Sequence, residues 1–107
     1  MATISNNSKI LTLVNVFTVD PAQQQKLVDT LIEATQKTMK HMRGFISASI
    51  KSFDGSKVIN YAQWKSREDF EAMTRNPEAI PHMKACAALA KFDPILCEVV
   101  ESMGAAE

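Results

Sequence analysis

The chain has 107 residues, 46% of them hydrophobic and 22% charged, which is enough for one folded domain and too little for two. Twelve Lys and Arg residues balance twelve Asp and Glu residues, so the basic excess that holds nucleic acid or an anionic membrane surface is absent. No apolar run approaches the roughly 18 residues of a membrane-crossing helix, and the polar start Met1 to Ser8 has neither the basic beginning nor the apolar stretch of a secretion signal, which predicts a cytoplasmic protein.

Residues 10–102 are expected to form the single domain, between flexible tails at 1–9 and 103–107. Ile10 to Val19 is dense in β-branched residues and predicts a strand. Asp20-Pro21 then starts a helix, with Asp as the cap and Pro at the first helical position. From Ala22 to about Met42 the residues Leu27, Val28, Leu31, Ile32, Thr35, Met39 and Met42 recur at the three-and-four spacing of an amphipathic helix, and Gly44 stops it. Phe45 to Phe53 and Lys57 to Trp64 read as two strands joined by a turn at Asp54-Gly55. Ser66 caps a second helix, with Asp69 three residues on. Asn76-Pro77 breaks that helix, and a third is expected from about Glu78 to Ala90. Asp93-Pro94 is expected to end the third helix, leaving Ile95 to Val100 as the last strand. The order β-α-β-β-α-α-β is the α+β, ferredoxin-like split βαβ plan, a four-stranded antiparallel sheet with helices on one face.

Alternation divides the strand residues between two faces. Leu11, Leu13, Asn15 and Phe17 share one face of the first strand, and Val58, Asn60, Ala62 and Trp64 share one face of the third. The helices cover a single face. The other still carries Val14, Val16, Ile59 and Tyr61, and on this reading Leu96 and Val100, which is too much apolar surface to leave in water. A homodimer packed sheet against sheet is therefore expected.

Few residues offer chemistry. Cys86 and Cys97 stand eleven positions apart with only two His residues to join them, so they read as buried reduced thiols, not a zinc or redox motif. Gly44, Gly55 and Gly104 are scattered, so no phosphate-cradling loop or dinucleotide fingerprint is present. No flavin, nicotinamide or metal site is recognisable, and no cofactor is expected. His41, near a helix end, reads as a solvated residue; His82 reads either as a hydrogen-bonded structural residue or as a functional one. What stands out is polar groups among apolar ones. Asn15, Asn60 and Trp64, if all on the helix side of the sheet, would give an apolar pocket two amides and an indole N–H, suited to a flat, hydroxylated aromatic ligand.

Three stretches carry a resemblance: Gly44-Phe45-Ile46-Ser47-Ala48, Ser52-Phe53-Asp54-Gly55 and Val58-Ile59-Asn60-Tyr61-Ala62-Gln63-Trp64-Lys65-Ser66. Together with Asn76-Pro77-Glu78-Ala79-Ile80-Pro81-His82-Met83 they resemble the antibiotic biosynthesis monooxygenase family, from about Ile10 to Val100. The resemblance implies a dimeric α+β barrel. It also implies a cofactor-independent monooxygenase that oxidises an aromatic phenol, anthrone or quinol of polyketide type with O₂ to a quinone. Asn60 and Trp64 would contact the substrate as catalytic groups and His82 would accept its proton, with Asn15, Phe17, Phe70 and Met73 lining the site. A heme-binding or heme-degrading monooxygenase of the same superfamily is the alternative, matched by Asn15 on the first strand and opposed by Met73, which stands near where those enzymes carry a Trp. A non-catalytic dimeric protein that binds aromatic ligands is the other alternative. Many relatives have a His before the basic residue of the second strand; here Ile50 is followed directly by Lys51, so no role for that His carries over.

Overall fold

The structure, a computed structural model, describes residues 9–106. The expected tail at 1–9 thus lies, apart from Lys9, outside the described residues. The elements are β1 (Leu11–Val19), α1 (Gln24–Lys37), β2 (Phe45–Phe53), β3 (Lys57–Trp64), α2 (Arg67–Thr74), α3 (Ile80–Leu89) and β4 (Ala90–Glu98), in the α+β ferredoxin-like plan. The four strands pair antiparallel in the order β2-β3-β1-β4. No helix among the described residues is long and apolar enough to cross a membrane.

Local chemistry explains most boundaries. The Asp20 carboxylate accepts from the Ala22 N–H at 2.9 Å, and a short 3-10 turn at Pro21–Gln23 leads into α1. Ser66 Oγ accepts from the Asp69 N–H at 3.1 Å and caps α2. In the β2–β3 turn, Asp54 Oδ1 accepts from both the N–H and the hydroxyl of Ser56. Those bonds hold the Asp54 carboxyl below the usual carboxylate range and support its positive φ of 54°.

Three expected element boundaries are corrected. The first helix ends at Lys37, and a 3-10 turn at Met39–His41 takes over. Met39 and Met42 keep their apolar spacing because the turn still packs both against the core. The third helix begins at Ile80, with Pro81 in its first turn, where a missing N–H costs nothing. The last strand starts at Ala90 and runs through Asp93-Pro94, where a helix stop was expected. β4 is an edge strand, and an edge tolerates Pro because one side of it needs no backbone donors.

This longer β4 also resets its faces. Phe92, Pro94 and Leu96 stand opposite Phe17, Asn15 and Leu13, on the helix side. Leu96 therefore packs inward, and Ile95, 48% exposed, joins Val14, Val16, Ile59 and Tyr61 on the open face. Val100 lies beyond the strand and is exposed. Cys86 is buried as expected, whereas Cys97 is exposed, because it sits on the open face of the edge strand beside Thr12. Under the helices lie two apolar clusters, one around Phe17, Leu27, Leu31 and Val58, the other around Leu11, Trp64, Met73 and Ala79.

Candidate active site

Between these two clusters the helices do not fully close on the sheet, leaving a cavity of about 260 Å³. Its floor comes from the inward-facing residues of β1 and β3, with Asn15, Phe17, Asn60 and Trp64 among them. Phe70 and Met73 of α2 and His82 of α3 form part of the roof. All seven residues singled out from the sequence thus border one cavity. Thr35, Met39, Met83, Cys86, Phe92 and Pro94 border it too and were not anticipated as site residues. Thr35 and Met39 continue the apolar face of the first helix, a signal the sequence did offer. Phe92 and Pro94 were hidden by the misplaced start of the last strand.

The floor carries its polar groups in one place. Asn15 and Asn60 are direct partners in the β1–β3 register, so their side chains stand next to each other. The Oδ1 atom of each is buried and has no hydrogen-bond partner. A buried acceptor left unpaired costs about 1–3 kcal/mol, so two of them side by side form a site primed for donors. Because an amide presents either its oxygen or its NH₂, the same pair can also donate to a ligand oxygen.

Trp64 closes one end of the floor. It is 2% exposed and held edge-on by Phe45, with ring centroids 5.4 Å apart, and by Phe70 at 6.4 Å. Its indole N–H has no hydrogen bond within the described residues. Aromatic packing fixes the ring and leaves the donor available.

The roof supplies the titratable groups. His82 Nε2 shares a hydrogen bond of 2.9 Å with the hydroxyl of Thr38, the residue at which α1 gives way to the 3-10 turn. That bond orients the imidazole. Burial pushes the Cys86 thiol up to about 11, so it stays protonated and poorly nucleophilic at neutral pH. Among the described residues no Asp, Glu, Lys or Arg borders the cavity, and His82 is the imidazole that does. His41 lies elsewhere, exposed, its Nε2–H donating to the Gln36 carbonyl at 3.1 Å. Among the described residues no three His, Cys, Asp or Glu side chains are grouped to hold a metal ion.

Comparison with known proteins bears on the fold and the family. Residues 10–89 match the family described as antibiotic biosynthesis monooxygenase. Tetracenomycin-F1 monooxygenase of Streptomyces glaucescens is 47% identical over 106 residues, covering 98% of this chain and 95% of that protein. A monooxygenase from the gene ActVA-Orf6 of Streptomyces coelicolor, solved in complex with the ligand nanaomycin D, superposes with a TM-score of 0.76 at 26% identity, over 100% of this chain and 98% of its own. SnoaB, a cofactor-independent oxygenase from Streptomyces nogalater, shares the fold with a TM-score of 0.67 at 23% identity, over 83% of this chain and 91% of its own. The chain belongs to the antibiotic biosynthesis monooxygenase family and is an oxidoreductase of that type.

Proposed function

We propose that the cavity binds a phenolic polycyclic aromatic of polyketide type and that the protein oxidises it with O₂ to a quinone, without a cofactor. The observation that carries this reading is the pair of unpartnered, buried amide oxygens of Asn15 and Asn60 on an otherwise apolar floor. Such a floor matches a flat ring system bearing hydroxyl groups. The names of the relatives support the same class, since one acts on tetracenomycin F1 and another was solved with nanaomycin D.

The chemistry resides in the substrate. Removal of a proton from the phenol or anthrone gives a carbanion-like anion, which passes an electron to O₂. The two radicals combine at the ring carbon to give a peroxide. The peroxide takes the first proton back from His82, and cleavage of the O–O bond with loss of the remaining C–H proton then releases water and leaves the second carbonyl, so one O₂ yields one quinone and one water. His82 takes the first proton, while the amides of Asn15 and Asn60 and the Trp64 N–H stabilise the negative charge on the ligand oxygens in a dry site.

Oxygen uptake by the purified protein, stripped of metals with a chelator, tests the reading over a panel of anthrones and naphthols. We expect one O₂ consumed per quinone formed with at least one member. Binding of the panel with no O₂ consumed would leave a ligand-binding protein instead. The partner we propose is a second copy of the chain, seated on the open face of the sheet, where Val14, Val16, Ile59, Tyr61 and Ile95 are gathered.

A further inference from the structure

Met73, in the last turn of α2, is only 8% exposed and borders two spaces at once. On one side is the cavity; on the other is an outer groove lined by His41, Arg43, Glu68, Asp69, Asn76 and Glu78. The two spaces differ in character. The cavity is apolar apart from a few amide, hydroxyl and imidazole groups, whereas the groove is rimmed by charged and amide side chains.

We propose that Met73 is the end wall that sets how long a ligand the cavity accepts. Shortening it joins cavity to groove and admits ligands one ring longer, with a hydrogen-bonding group at the far end. This inference rests on the reading of the cavity as an aromatic-ligand site, and it names the residue that limits size there.

The wall toward Phe17, Leu31 and Cys86 does not offer this route. Those residues pack in one cluster with Leu27 and Val58, both 0% exposed, so a truncation there would open a closed void within the core. At Met73 the far side is already open. The side chain is also unbranched and adaptable, and it packs in a cluster with Trp64, Leu11 and Ala79, whose positions are set by the sheet and the α2–α3 turn. Loss of its thioether tip therefore extends the space toward the groove. The groove's own groups are partly engaged with one another: Arg43 lies 3.9 Å from Asp69, and Asn76 Oδ1 accepts from the Glu78 N–H at 2.8 Å. A ligand end arriving there meets a polar rim, which favours a hydroxyl or amide over a bare ring.

The test is anaerobic binding of hydroxylated two-, three- and four-ring aromatics (a naphthol, a hydroxyanthraquinone and a hydroxynaphthacenequinone) to the full chain, followed by fluorescence quenching. The quantity read is the ratio of four-ring to two-ring affinity. Met73→Ala is expected to raise that ratio about tenfold or more over the parent, and Met73→Leu, of similar volume, to leave it within about twofold. Thermal melts establish that each variant is folded. Should Met73→Ala fail to fold, Met73→Val reads the same effect, with a smaller rise. An unchanged ratio in a folded Ala or Val variant, or an equal rise in Met73→Leu, overturns the proposal while leaving the aromatic-site reading in place. If the parent binds none of the probes, that reading falls and this inference falls with it.

Discussion

Asn60 and Trp64, four residues apart on β3, are roughly 13 Å apart along the strand at about 3.3 Å per residue, which lets them address opposite ends of a two- or three-ring ligand. Trp64→Phe keeps the aromatic wall and removes the donor; Asn60→Ala removes the amide. If both act on charge that develops during oxidation, each variant loses about ten- to a thousandfold in turnover, with smaller changes in substrate affinity, in steady-state O₂ uptake. Asn60 also makes a prediction about stability. Its carbonyl oxygen is buried and unpaired in the ligand-free protein, so Asn60→Leu, close in shape, is expected to raise the unfolding free energy by about 1–3 kcal/mol while lowering turnover at least as far as Asn60→Ala does. A melt showing Asn60→Leu clearly less stable than the parent would mean that the amide is satisfied in solution. Cys86 has its own pH signature. Its thiol is raised in the folded state, so the unfolded chain loses the thiol proton first as pH climbs. The stability that the buried neutral thiol contributes is present below the ordinary thiol range and disappears as pH rises toward about 11. In urea unfolding, the stability gap between the parent and Cys86→Ala is expected to narrow from pH 8 to 11; a constant gap would contradict the burial of this thiol.

Gly44 shows how one position ties three elements together. It links the 3-10 turn to β2 at a φ of 85°, and its carbonyl accepts from the Lys65 N–H at 2.7 Å, just past the end of β3. A side chain there would run into the Asp69 carboxylate at the start of α2. Gly44→Ala combines left-handed strain with that collision, so it is expected to cost about 2–4 kcal/mol in urea unfolding and to disturb the Phe70 and Met73 wall. A cost under about 1 kcal/mol would show that α2 gives way freely. Elements built on local chemistry were legible in the sequence for the same reason: the Asp20 and Ser66 caps and the Asp54-Gly55 turn all act within a few residues. Two boundaries depended on distant contacts and were not legible. α1 gives way at Thr38, whose hydroxyl is bonded to His82 from another helix. Asp93-Pro94 looks like a helix stop until the strand is known to lie at the sheet edge, where Pro94 pairs with Asn15 without disrupting the ladder. The floor of the site was readable because strand alternation alone places Asn15, Asn60 and Trp64 on one side. The roof was only partly readable, since Met83 and Cys86 reach the cavity through helix packing that no spacing rule specifies.

At the scale of the whole molecule, the two sides of the sheet divide the work. The helix side holds the cavity within one chain, and the open side presents Tyr61 and Ile95, which are exposed, beside Val14, Val16 and Ile59, which are half-buried. Val16 sits centrally on β1, flanked in register by Ile59 on β3 and Asp93 on β4. A second sheet laid over it would bury these residues, and the expected sedimentation mass of the parent is twice that of the chain. Val16→Asp places a carboxylate in the middle of that contact and directly beside Asp93, so it would be both unpaired and repelled if buried. The variant is expected to sediment as a monomer at micromolar concentration. Because the cavity is lined by the opposite face, that monomer should still bind the aromatic panel within about tenfold of the parent, an affinity change of roughly 1.4 kcal/mol or less. A Val16→Asp protein that remains a folded dimer would place the interface elsewhere. One that becomes a folded monomer and loses all aromatic binding would mean that the second chain completes the site, and the division of labour between the two faces would have to be abandoned.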